Sequence, residues 1–268
     1  MNFSLLIFLS TFVFFASIDF FVSGVTLRAN LPKQWLLNVG LFFVGQLALF
    51  ILPISAFAAS TLGNSVGTGL MPMLKINDPI LGLVTWALAS TLVSYLLHVA
   101  SHKFPWLWAF HRVHHCDEML NASSGIRHHP IEYCYSIFIY SLVAFLLAPP
   151  PDTIVIWYGL NTAIDFFTHS KITLPQTLNS LLETIFITPA LHRVHHSALA
   201  VETDSNYGGV FSFWDRLFGT FQRAVPSKIG LDSLTLSGDA SRDFDKLLSE
   251  PFRFILNSAK AEPDDRII

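Results

Sequence analysis

At 268 residues, 52% of them hydrophobic and only 13% charged, the chain carries far less charge than a soluble domain, where roughly 25% of residues are charged. A formal charge of −3, with no basic run and no acidic tail, removes nucleic acid as a partner class. Cys116 and Cys134 are the only cysteines, too few for a disulfide framework or a zinc-thiolate site, and are read as unpaired.

The first apolar segment, residues 2–22, has no basic residues before its apolar run and is read as a retained anchor rather than a signal peptide. Further apolar segments cover residues 35–58, 79–100, 131–149 and 153–168, most of them near the roughly 20 residues that cross a bilayer as helix. The expected fold is all-α: an integral membrane protein of about four to five transmembrane helices with a helical cap. Arg28 and Lys33 separate the first two segments, whereas residues 59–78 offer only Lys75, so the first loop is placed in the cytoplasm and the N-terminus outside. Counting crossings from there brings every histidine to the cytoplasmic side. Pro149, Pro150, Pro151 and Asp152 break the fourth segment from the fifth and predict a hairpin. Asn161 and Asp165 lie inside the fifth segment, where polar side chains are expected to face the protein interior or a site. In the tail, Phe244, Leu247 and Leu248 mark one face of a short amphipathic helix from Ser241 to Glu250, ended or kinked by Pro251. The expected division is an N-terminal anchor at 1–78, a catalytic unit at 79–222 and a C-terminal tail at 223–268.

The histidines fall into groups: His98-x3-His102, His111-x2-His114-His115, His128-His129, His169 and His192-x2-His195-His196, with His-Arg-Val-His-His occurring twice. Residues three and four apart on a helix are neighbours, whereas adjacent residues splay by about 100 degrees. One triad can therefore face two metal ions, and two triads imply a dinuclear centre. Imidazole suits iron, zinc, copper and nickel, so ligand type leaves the metal open. A Glu-x-x-His pair is missing, against a carboxylate-bridged bundle site, as is His-Glu-x-x-His, against a zincin protease. A haem protein needs far fewer histidines. A zinc transporter would carry ligands near the bilayer midplane, not beyond the helix ends. A membrane zinc-binding hydrolase or a metal-handling protein stands as the alternative. Glu132, Asp204 and Asp215 are candidates to hold imidazole N–H groups, Arg112 and Arg193 are expected to snorkel, and Gly208-Gly209 to form a turn ordering Asn206.

From about Leu97 to Thr220 the chain also shows Pro105-Trp-Leu-Trp108, Arg127-x-His129-Pro130-x-Glu132, Thr168-His169, Thr188-Pro189, Asn206-Tyr-Gly208 and Phe213-Trp-Asp-Arg-Leu-Phe-Gly-Thr220. In these motifs it resembles the fatty acid hydroxylase and sterol desaturase superfamily. The resemblance implies a non-haem centre of two iron ions, with zinc an expected substitute in purified protein, held by His98, His102, His111, His114, His115, His129, His169, His192, His195 and His196. His128 is left over, because the family's histidine directly precedes the proline. It further implies hydroxylation or desaturation of a lipid substrate (fatty acyl, sterol or isoprenoid) by O2. Electrons are expected from a separate protein of the cytochrome b5 or ferredoxin type, since no cytochrome b5 type domain is appended.

Overall fold

The computed structural model describes residues 3–51, 55–231 and 241–258. It is all-helical: among the described residues there is no strand, only isolated bridges between Phe186 and Phe211 and between Ser197 and Ile229. Helices α1 (Phe3–Val22) and α2 (Val25–Ile51) open the chain. The loop expected around Lys33 is instead the start of α2, and the side chain of Arg28 lies outside the described residues. Side chains near this end of α2 serve as anchors. Gln34 donates to the Met119 carbonyl (3.0 Å), Trp35 to Asn121 Oδ1 (3.1 Å) and Asn38 to Ser123 Oγ (2.8 Å).

Part of the second expected segment, residues 52–54, lies outside the described residues. Beyond it the expected loop is replaced by α3 (Ala56–Val66) and α4 (Leu70–Met73). Ser55 caps α3 by accepting from the Ala58 amide, and Gly67 ends it at φ +68°, a conformation suited to glycine. Then come α5 (Pro79–Lys103), α6 (Pro105–His115), a 3-10 turn (Ala122–Ile126), α7 (Pro130–Leu147) and α8 (Pro151–His169). The prolines between α7 and α8 make the expected hairpin. The carbonyls they leave without helical donors are met by α3: Ser60 donates to Pro149, and Asn64 to Ala148 and Pro149 at 3.1 Å each. Stretches within Ala29–Met73, Pro79–Lys103 and Pro130–Leu147 are long and apolar enough to cross a membrane, and the protein is a multi-pass membrane protein.

The packing gives the bundle a direction. Gly82, early in α5, abuts Pro150, so α5 starts beside the α7–α8 hairpin and delivers His98 and His102 to the opposite end. Late in α1, Asp19 accepts from the backbone amides of Ala122 (2.6 Å) and Lys171 (2.7 Å) at that same end. A phenylalanine core ties the first helices to α8, with Phe8 4.9 Å from Phe42 and 5.5 Å from Phe166 between ring centroids. Beyond the bundle lie α9 (Gln176–Leu182), α10 (Pro189–His195), α11 (Ala200–Thr203), α12 (Phe213–Phe218) and α13 (Phe244–Ser258). Helix α13 does not stop at Pro251 as one expected reading had it. Apolar contacts on both sides of the proline hold it: Leu247 is buried with Leu41, Val113 and Cys116, and Phe252 meets Phe110 at 5.6 Å.

Candidate metal centre

Local sequence explains how each histidine reaches the centre. His98 and His102 occupy the last turns of α5, which ends at Phe104, where Pro105 starts a new helix. Helix α6 carries His111, His114 and His115, and α10, capped by Thr188 and begun by Pro189, carries His192 and His195, with His196 at its C-cap. His169 is the last residue of α8.

Nine of the ten expected ligands converge in two groups. Ring nitrogens of His98, His102, His111, His115 and His195 lie within 4.8 Å of one another, as do those of His114, His169, His192 and His196. The adjacent pairs divide between the groups, His114 from His115 and His195 from His196, as the helical splay requires. The groups abut, with the His115 and His196 rings stacked at 4.6 Å.

His129 is not brought in. Both its nitrogens are engaged elsewhere: Nδ1 accepts from the Ile131 amide (3.1 Å), capping α7, and Nε2–H donates to the Leu248 carbonyl (3.2 Å). Its neighbour His128, which fell outside the motif match, lines the centre instead. Its ring stacks 4.5 Å above that of His114, and its Nδ1 lies 3.2 Å from Glu132 Oε2.

Hydrogen bonds fix the tautomers of six of the nine. A carbonyl oxygen can only accept, so Nδ1 carries the proton in His98 (to Tyr207, 2.8 Å), His114 (to Arg127, 3.3 Å), His169 (to Asp165, 2.8 Å) and His195 (to Ser205, 2.7 Å). Glu132 takes the His111 Nδ1 proton at 2.7 Å and Asp204 that of His102 at 3.3 Å. Lone pairs on Nε2 then point inward. In the second group, His114 and His169 present Nε2 lone pairs to each other at 3.3 Å, a repulsive contact unless a cation lies between them. In the first, the Nε2 atoms of His98 and His195 are buried without a hydrogen-bond partner among the described residues. The closest Nε2 separations, 2.8–3.3 Å, match the roughly 3.0–3.4 Å between neighbouring ligands of an ion with nitrogen at about 2.1 Å. The residues fit metal ions in both groups.

Burial and the neighbouring imidazoles hold His114, His115, His192 and His196 well below the ordinary histidine value, and push His195 down to about 3. These five imidazoles are therefore neutral, the form that binds metal.

Of the expected imidazole holders, Glu132 and Asp204 make those contacts. Asp215 acts one step back: it accepts from the amides of Tyr207 (2.7 Å) and Gly208 (3.0 Å), fixing the loop whose Tyr207 carbonyl holds His98. Asn206, at φ +50°, braces the same loop through Leu191 and Gln222. The arginines do not snorkel. Arg112 is buried, its guanidinium 4.5 Å from the Phe254 ring centre, and Arg193 donates to the Ser170 (3.3 Å) and Ile172 (3.4 Å) carbonyls. Sequence reasoning placed Arg127 in a motif but gave it no role: fully buried, it ties Val113 to Asn38 and Ser241 (2.8, 2.9 and 2.6 Å). Both cysteines are free. Gly125 lets the turn approach the site closely: a Cβ there would stand 2.7 Å from Asp165 Oδ2 and 3.2 Å from His169 Nδ1, so the Asp165 side chain would have to shift.

Fold and site together describe a multi-pass membrane protein with two abutting histidine groups that could each hold a metal ion. Residues 83–220, just over half the chain, match the fatty acid hydroxylase family, and the chain belongs to it. It is 37% identical over 140 residues to an alkylglycerol monooxygenase of Danio rerio, 32% over 159 residues to ornithine lipid hydroxylase OlsE of Rhizobium tropici and 28% over 147 residues to a cholesterol 25-hydroxylase of Rattus norvegicus. These matches cover 51%, 59% and 53% of this chain, but only 30%, 46% and 48% of the relatives. No solved structure gives a significant match.

Proposed function

We propose that this chain is a membrane-bound non-haem di-iron oxygenase that hydroxylates a lipid, using O2 and electrons from a separate donor protein. The observation that carries this reading is the pair of abutting histidine groups with their inward-facing Nε2 lone pairs, above all His114 against His169. One ion would be held by His98, His102, His111, His115 and His195, the other by His114, His169, His192 and His196, with His129 outside the set. When bound, the iron pair supplies the redox chemistry that turns O2 against a C–H bond.

The chain's own residues do the rest. Glu132, Asp204 and the backbone carbonyls keep the protons of His98, His102, His111, His114, His169 and His195 on Nδ1. Helices α5, α7 and α8 wall a cavity of about 300 Å³ that reaches from His98, His111 and His169 into the membrane part of the bundle, where a lipid can enter without crossing water. The names of the relatives, hydroxylases and monooxygenases, support hydroxylation over desaturation. The catalytic unit is assigned to 79–222, flanked by anchor helices at 1–78 and a tail at 223–268. Lys33 lies at the histidine end of α2 and supports placing the site on the cytoplasmic side.

The test is metal analysis of protein from iron-replete cells, combined with lipid extraction after exposure to isotopically labelled O2. Iron near two per chain and label in a lipid hydroxyl are expected. Lipid turnover that persists without O2 on zinc-loaded protein would instead establish a zinc hydrolase.

A further inference from the structure

One stripe of α8, formed by Tyr158, Asn161, Thr162, Asp165 and His169, lines the cavity, as the spacing of residues on one helix face requires. Ser136 lines it from α7. A cavity for a bare hydrocarbon needs only apolar walls. This one, set among membrane helices, also carries polar side chains, and several of them are satisfied internally: Thr162 donates to the Tyr158 carbonyl (2.8 Å) and Tyr133 to that of Ile126 (2.9 Å).

Asn161 is different. Its amide, with two N–H donors and a carbonyl, makes no hydrogen bond with the described residues, and neither does the smaller Ser136 hydroxyl, though both side chains are half-buried at the cavity wall. An asparagine that glues membrane helices together bonds to a neighbouring helix. An unpaired one within a bundle is costly, which a bound ligand would offset. Asn161 precedes His169 by eight residues, about 12 Å along the helix axis.

We infer that Asn161 anchors a hydrogen-bonding oxygen or nitrogen of the lipid, so that the substrate class is an amphiphile whose hydroxyl, ether or amide group sits far from the carbon to be oxidised. This rests on the lipid-oxidation reading above. Substrate length between the polar group and the reacting carbon is then set by the rise of α8, and the lipid lies along that helix with its reactive end at the histidines.

The experiment compares the wild type, Asn161→Leu, Asn161→Gln and His114→Ala as purified, metal-analysed full chains in lipid nanodiscs. Hexadecane, hexadecanol, hexadecylglycerol and cholesterol serve as probes, with binding read from the shift in melting temperature. At least one oxygenated probe should bind the wild type more tightly than hexadecane does. Asn161→Leu should weaken that binding on the order of fivefold to tenfold, the loss of one hydrogen bond, and leave hexadecane unaffected. Asn161→Gln should restore part of it. Without ligand, Asn161→Leu should melt at or above the wild-type temperature, because an unpaired amide has been removed. A lower melting temperature with unchanged probe binding would make Asn161 structural and overturn the proposal. So would a wild type that shows no preference for the oxygenated probes. His114→Ala, inactive on the reading above, should bind the probes normally. If no form oxidises a lipid, the oxygenase reading fails while the Asn161 binding contrast is still decided.

Discussion

Glu132 is the carboxylate that holds His111, at 2.7 Å and buried, so Glu132→Gln should lower metal affinity roughly 10–100-fold. Chelator competition measures this, and an unchanged affinity would show that His111 needs no such support. The two histidines of the Arg-His-His-Pro stretch give a sharper contrast. His129→Ala should keep the full metal content, since both its nitrogens are spent at the α7 cap and on Leu248, whereas His169→Ala should lose metal from the second group. Equal loss from both variants, by elemental analysis of folded protein, would return His129 to the ligand set. Here the sequence was legible to the level of residue type and spacing: the triads announced a two-part site. It could not tell His128 from His129, because which of two adjacent rings faces the site depends on the backbone direction entering α7. Nor could it show the carbonyls of Tyr207, Ser205, Arg127 and Asp165 as imidazole holders, because every residue carries a carbonyl.

At the scale of elements, apolar runs foretold α1, α5, α7 and α8, whose boundaries follow from composition and proline. Helix α3 was illegible for the opposite reason. Its Ser60 and Asn64 look like loop residues until the Pro149 carbonyl they serve is seen across the bundle. Asn64→Ala should therefore cost about 1 kcal/mol or more, leaving acceptors at the hairpin unmet, and should lower the melting temperature without changing metal content. The tail helix gives the larger effect. Leu247 is fully buried against Leu41, Val113 and Cys116, so Leu247→Ala should destabilise by about 2–5 kcal/mol, and since α6 is its partner, metal retention should fall with it. A stable, fully loaded Leu247→Ala protein would mean that α13 does not brace the histidine helix.

Across the whole molecule, the neutral imidazoles tie stability to pH. His114, His115, His192, His195 and His196 are all depressed by burial and by one another, so the unfolded chain binds more protons than the folded one. Stability of the metal-free protein should be complete above the unfolded histidine value of about 6.5 and fall away as pH drops through it toward the depressed values. Melting temperatures of chelator-treated protein across that range test this, and a flat profile would refute it. The lengths of α7 and α8 bear on the membrane itself. With 18 and 19 residues they measure about 27 and 29 Å, no longer than a hydrocarbon core of about 30 Å. Tilt can shorten such helices across a bilayer but cannot lengthen them, and the histidines are fixed at one end of the hairpin. A thicker bilayer must thin around the protein or draw the centre below the headgroups, away from a water-soluble electron donor. Turnover should therefore peak in vesicles of short-chain phospholipids and decline as acyl length grows, making bilayer thickness a control on the reaction.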